Sequence, residues 1–258
     1  MLEKKETSAE LRRTVTGVRR IRRYRKVLPP IIGASTLFLV ILYIVSLLFS
    51  RYGSFTVTVK DYEDRKYALS LSEGSDFRNA TSYLNAAAAT NITNIDGNDL
   101  PKDLNDVDGM HNGENYLAYT FYVKNTGEVA CSYRYRLIVS RATMGIDAAA
   151  RVRVYYNGDY YKAETDTYRH DGTYTDYAKP KTGGNGQPEV EPDGRVMTNF
   201  LRGDVILEEE KTTFAPGDMS KVTVVIWLEG NDPDCTDDIL GGQFKVDMVF
   251  EITETTEQ

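Results

Sequence analysis

The sequence predicts an all-β fold, an antiparallel two-sheet sandwich of jelly-roll or immunoglobulin-like type, preceded by one transmembrane α-helix. Three observations predict it. Ile31 to Phe49 is nineteen residues without a charge, thirteen of them Ile, Leu, Val or Phe. At roughly 1.5 Å per helical residue this matches the roughly 30 Å hydrocarbon core of a bilayer. Beyond it, about eight to ten short segments alternate between apolar and polar residues and are separated by turn-forming ones. Finally, residues 1–28 hold ten Lys or Arg against three Glu, and the remainder holds twenty-one against thirty-five acids. A +7 tail therefore precedes a −14 domain. Short basic flanks stay cytoplasmic, so the expected organisation is a basic cytoplasmic tail (1–28), a membrane signal-anchor (29–50) and an extracytoplasmic sandwich (51–258).

In the tail, Thr7-Ser8-Ala9-Glu10 fits a capping box, and Leu11, Val15, Val18 and Ile21 follow at helical spacing. Arg12, Arg13, Arg19, Arg20, Arg22, Arg23, Arg25 and Lys26 fill most of the other face. This reads either as a basic amphipathic helix on anionic lipid or as a charge cluster that only orients the membrane segment. Nucleic acid is not an expected partner. The apolar run exceeds the roughly 7–15 residues of a cleaved signal, and Leu48 stands where a small −3 residue would be needed, so the anchor is expected to be retained. Pro29 and Pro30 suit a helix start, where a missing N–H costs little.

The strand-like segments follow in order. Ser54 to Lys60 and Lys66 to Ser72 alternate strictly, and Asn91 to Ile95 does so weakly. Tyr116 to Val123 leads into the turn Lys124-Asn-Thr-Gly127, and Cys131, Tyr133, Tyr135, Leu137 and Val139 line one face of the next strand. Met144 to Ala150 reads as a short helix. Arg151 to Tyr156 and Asp159 to Lys162 flank Asn157-Gly158, the preferred type I′ hairpin dipeptide. Val205 to Phe214, the turn Ala215-Pro-Gly-Asp218 and Val222 to Leu228 come next. The last of these is apolar on both faces, as in a central strand covered twice. Gln243 to Ile252 closes the domain. Asn94–Asn115 and Glu164–Gly203 are long polar connections, the second a flexible loop expected to be disordered at about 180–194.

No nucleophile elbow, phosphate loop or zinc spacing is present, and the two histidines, His111 and His170, lie in polar loops, so a non-catalytic protein is expected. Two acidic loops are candidate calcium sites. Asp103, Asp106 and Asp108 open an EF-hand-like stretch with Glu114 at the twelfth place, but Val107 takes the fifth place and Asp108 the sixth, where glycine is required. Asp232, Asp234, Asp237 and Asp238 place four carboxylates within seven residues, which repel unless solvated or neutralised by a cation. A solvated loop is the alternative at both, and otherwise no cofactor is expected. Cys131 and Cys235 allow either a disulfide or two separate thiols, one buried and one loop-borne. Seven of eighteen tyrosines fall between Tyr155 and Tyr177. Tyr155, Tyr156, Tyr160 and Tyr161 are candidate partner-binding residues, or else the packed face of a hairpin.

Three stretches carry a resemblance: Tyr52 to Val59, His111 to Gly127 and Val225 to Gly242. They look like uncharacterised signal-anchored extracytoplasmic β-sandwich proteins of Gram-positive (clostridial-type) bacteria, and more remotely the layout is similar to camelysin and TasA-like proteins of biofilm matrix. The first likeness implies a single-pass cell-membrane protein with a cytoplasmic N-terminus and an extracellular domain. That group carries no assigned activity; a non-catalytic binding or structural role at the envelope is the expectation from the chain itself, with an envelope protein or glycan as an unidentified partner. The second implies the alternative, a secreted matrix subunit that assembles by strand addition.

Overall fold

The structure, a computed structural model, describes residues 30, 33–44, 54–60, 66–181 and 187–255. The chain divides into two units, Met1–Arg51 and Tyr52–Gln258. In the first, residues 33–44 are α-helical. Among the described residues no helix is long and apolar enough to cross a membrane. The basic tail, residues 31–32 and residues 45–49 of the expected span lie outside the described residues.

The second unit is built from β1 (Phe55–Val59), β2 (Leu69–Ser72), β3 (Tyr83–Ala86), β4 (Gly109–Met110), β5 (Tyr116–Asn125), β6 (Cys131–Ala142), β7 (Ala150–Lys162), β8 (Thr167–Tyr168), β9 (Tyr174–Ala178), β10 (Thr198–Asn199), β11 (Val205–Phe214), β12 (Met219–Leu228) and β13 (Phe244–Thr255). Two sheets pack together. One runs β11-β6-β13-β1-β3, and the other runs β10-β9-β7-β12-β5-β2, with β4 on β5 and β8 on β7. The expectation of purely antiparallel sheets is corrected: both are mixed. β1 lies parallel to β13, Phe55 opposite Val246 and Val59 opposite Phe250, and β10 lies parallel to β9. Alternation assigns residues to faces; it carries no information on the direction of the partner, so the first and last strands of the domain can pair in parallel without leaving a trace in either.

The alternation does place the core. Phe55 and Val57 of β1, Leu117, Tyr119, Phe121 and Val123 of β5, and Val222, Val224 and Ile226 of β12 all sit between the sheets. Phe121 packs edge-on to Phe250 at 6.0 Å, and Tyr133 does so to Phe214 at 5.1 Å. The odd-numbered face of β12 forms a second core. Val225 and Trp227, with Ala118 and Tyr155, are covered by Leu100 and Leu104 from the 94–115 connection. That cover is pinned by Ile95 N–H donating to Leu228 O (3.0 Å) and His111 N–H to Ala118 O (3.0 Å).

Turns follow their chemistry with one exception. Ala215-Pro-Gly-Asp218 closes with Asp218 N–H on Ala215 O at 3.0 Å, Gly217 taking φ 85°. The expected helix at Met144–Ala150 is a single 3₁₀ turn, Ile146–Ala148. The expected hairpin at Asn157-Gly158 does not form: β7 runs straight through it. A register shift opposite Met219–Lys221 absorbs the extra residues, and the Asn157 side chain donates to Arg169 O at 2.6 Å. The reversal comes instead at residues 163–166, where Asp166 has φ 47° before β8. Asn91–Ile95 is not a strand, and β3 had no signal of its own.

Gly127 of the Lys124–Gly127 turn is required for close approach. A Cβ there would sit 2.5 Å from Lys66 O and 2.7 Å from Ala68 N, both backbone atoms. Gly127→Ala is therefore expected to lower the stability of the domain by about 1–3 kcal/mol, read as the shift in urea midpoint. A change near zero would show that this turn yields without cost.

Candidate functional site

The unexpected chemistry lies on the outer face of the β7–β12 sheet. Arg151 and Arg153 alternate with Val152 and Val154 on β7, so both guanidinium groups point away from the inter-sheet core. Both are buried. The Arg151 side chain is 0% exposed, and three carboxylates surround it. Its Nε donates to Glu191 (2.7 Å), and its terminal nitrogens pair with Glu189 at 3.1 Å and with Asp232. Ala148 O accepts a further bond at 3.0 Å. Lys181 adds an ammonium 2.8 Å from Glu189. Beside this cluster Arg153 makes a two-pronged pair with Asp176 (2.7 and 2.9 Å) and lies 4.0 Å from the Tyr174 ring centre. Glu229, also fully buried, accepts from Gly97 N, Trp227 Nε1 and Arg195 at 3.1–3.2 Å.

Burial and charge set the protonation pattern. Burial pushes the Glu191 carboxyl up against the pull of Arg151. Burial, together with a hydrogen bond shared with Asp232, also raises Glu189. Asp232 is pushed up by burial too, but its bonds from Glu189, the Asp234 amide and Arg151 outweigh this and hold it below the usual range. The two carboxyl groups are thus shifted in opposite directions, Glu189 up and Asp232 down. Oε2 of Glu189 and Oε1 of Glu229 find no donor among the described residues.

Chemically, the cluster fastens two connections to the sheet. Glu189 and Glu191 belong to the stretch expected to be disordered at about 180–194; residues 187–203 dock on β7 and β9 and contribute β10, while residues 182–186 lie outside the described residues. β8 and β9 likewise fall inside the expected 164–203 loop. Among the described residues, Glu189, Glu191 and Asp232 are also the set whose ligand atoms lie within 4.8 Å of one another, close enough to share a metal ion. Here Arg151 and Lys181 supply the positive charge between them.

The residues singled out from sequence are scattered by the fold. Of the second acidic run only Asp232 joins the cluster; Asp234, Asp237 and Asp238 are exposed. In the EF-hand-like stretch, Asp108 accepts from the Tyr122 hydroxyl at 2.6 Å, Asp106 lies 3.6 Å from His170, and Asp103 precedes the 3₁₀ turn Leu104–Asp106 without capping it. The tyrosines divide between faces. Tyr155 packs against Tyr174 (5.2 Å) outside, whereas Tyr156 stacks on Tyr135 (4.3 Å) inside. Tyr160 lies against Tyr122, and Tyr161 against Tyr168. Cys131 and Cys235 are separate free thiols, the first buried in the inter-sheet core, where burial raises its pKa to about 11.

Arg151, Arg153, Glu189, Glu191 and Glu229 were missed by sequence reasoning. Glu189-Val-Glu191 and Arg151-Val-Arg153 have matched alternation and opposite charge, the one signal that could have joined them. No family model, curated protein or solved structure matches the chain.

Proposed function

We propose that the chain is a non-catalytic, single-pass membrane protein with its basic N-terminus in the cytoplasm, displaying the acidic β-sandwich outside the cell for binding or structural work at the envelope. The observation that carries this reading is the uncharged run 31–49 between a +7 tail and a −14 remainder. Residues 31–49 would contact the bilayer and the Arg-rich tail anionic lipid. Support for a non-catalytic role comes from the histidines. The His111 ring nitrogens each lie 2.9 Å from a backbone carbonyl, of Gly109 and of Leu104, and the exposed His170 lies 3.6 Å from the exposed Asp106. Display as a separate domain, in preference to strand-added fibres, is supported by the long edge strand β11, which carries Glu208, Glu209 and Glu210, charges that discourage edge-to-edge pairing.

Proteinase added to intact protoplasts is expected to remove a C-terminal epitope while the tail stays with carbonate-washed membranes. A protected epitope overturns the orientation. A mature chain beginning near Arg51 and found in the medium favours the secreted matrix subunit instead.

A further inference from the structure

We propose that Lys221 of β12 and Asn105 of the 94–115 connection join through their side chains in an amide cross-link that the folded domain forms by itself. The inference goes beyond envelope display and is independent of membrane topology. Lys221 stands on the face of β12 that carries Thr223, Val225 and Trp227, turned away from the inter-sheet core. Lys221 is 7% exposed and Asn105 6%, so both are shut in where the turn Leu104–Asp106 closes over the strand. The Lys221 ammonium donates to the backbone carbonyl of Asn105 and makes no ion pair among the described residues. An ammonium has more donors than one carbonyl can accept. Its other neighbours are the Tyr122 and Tyr160 rings, with centres 6.0 and 5.8 Å away, the outer limit of cation–π attraction.

Burial is the first influence on this amine and lowers its pKa, against the pull of Asp108 and then Asp106. A desolvated lysine that gives up its proton is a nucleophile. The residue it meets is prepared for attack. The Thr223 hydroxyl donates to Asn105 Oδ1 at 2.9 Å, and the Thr120 hydroxyl lies 2.7 Å behind it. Negative charge gathers on that oxygen when the carboxamide carbon is attacked, and a donor already in place stabilises it. Asn105 Nδ2, the leaving nitrogen, is held on the other side by Asp171 O at 3.1 Å. The carboxamide carbon belongs to the residue whose backbone carbonyl Lys221 already touches, and rotation about the lysine stem is the movement the reaction requires. The bond between Nζ and Cγ forms and that between Cγ and Nδ2 breaks. The protons that leave the lysine nitrogen go to the departing one, with the Asp108 carboxylate, bonded to the Tyr122 hydroxyl at 2.6 Å, as their carrier. An ammonium and a carboxamide thus become a secondary amide and a free ammonium ion, with no oxidant or cofactor. The bond ties the cover over Trp227 to the strand beneath it, joining residues 116 apart in sequence.

The competing account is that Lys221 remains an ordinary buried ammonium that pins the connection through one hydrogen bond. Intact mass spectrometry of the full-length chain, purified in a maltoside detergent, separates the two before any variant is made. The principal species is expected to fall below its sequence mass by one ammonia. A tryptic digest should contain a branched peptide that joins the segments holding Asn105 and Lys221, with no cleavage after Lys221. Lys221→Arg and Asn105→Ala should each return the chain to its full sequence mass. The branched peptide locates the bond in the wild-type chain, so the test stands even where a variant fails to fold. A wild-type chain at its full sequence mass overturns the proposal. So does an ammonia loss that persists in either variant, which would place it at an asparagine–glycine step such as Asn112-Gly113 or Asn157-Gly158.

Discussion

Arg151→Met is expected to destabilise the sandwich by about 3–5 kcal/mol, because it removes the cation from a buried cluster and leaves its carboxylates in place. The methionine fills much of the volume, so loss of packing contributes little and the effect isolates charge. Glu189, Glu191 and Asp232 would then lie near one another with only the half-exposed Lys181 to offset them. Arg151→Lys keeps a charge but cannot reach three carboxylates and Ala148 O at once, and is expected to fall between. The pH dependence has a definite sign. Glu189 and Glu191 already have raised pKa values in the folded chain, with burial the first cause. A carboxylate raised on folding contributes stability that is full below its unfolded pKa and lost as pH rises through the folded one. Removing Arg151 takes away a pull that lowers both, so the variant's deficit should be greatest at neutral pH and shrink as the pH falls toward 5. Asp232, held low, loses its contribution only at more acid pH. Urea midpoints of wild type and variant at pH 7 and pH 5 provide the test, and a gap that widens on acidification would refute the charge account. Adding Glu191→Gln to the variant should restore part of the loss, since two partners of one network do not add.

The same residues show what the sequence could and could not disclose. Strand alternation located β1, β2, β5, β6, β12 and β13 and their buried faces, because period-two burial is a local property. It also marked Val222–Leu228 as covered on both sides, which the Trp227 cluster bears out. What covers the outer side was not legible. Arg151-Val-Arg153 has the pattern of a half-exposed strand, and the pattern is identical whether solvent or a carboxylate-bearing connection lies above it. The connection itself, rich in Gly, Pro and Asp, buries few apolar side chains and docks through ion pairs. Those depend on partners forty and eighty-one residues away, Glu191 and Asp232. Asn157-Gly158 misled for a related reason: turn propensity is worth little against a strand whose flanks already pair with β12 on one side and with β8 and β9 on the other.

Trp227→Ala should cost about 3–5 kcal/mol, the range for emptying a buried Trp site, although this residue faces away from the inter-sheet core. It is 1% exposed, packed among Leu100, Leu104, Ala118, Tyr155 and Val225, with the Arg153 guanidinium 5.6 Å from its ring centre. Its indole N–H also donates to the buried Glu229, which loses one of its donors in the variant. Trp227→Phe retains a ring but not that donor, and is expected to cost about 1–2 kcal/mol beyond the smaller loss of packing. The location of the damage is the sharper test. If Leu100 and Leu104 are held to the sheet mainly by this ring, amide exchange should accelerate at Ile95 and His111, whose N–H groups bond to Leu228 and Ala118 across the cover. Amides of β1 and β13 in the first sheet should slow or quicken only with global stability. A loss below 1 kcal/mol, or uniform acceleration throughout both sheets, would mean that the outer face is a passive covering and that the ion cluster alone keeps the connections in place.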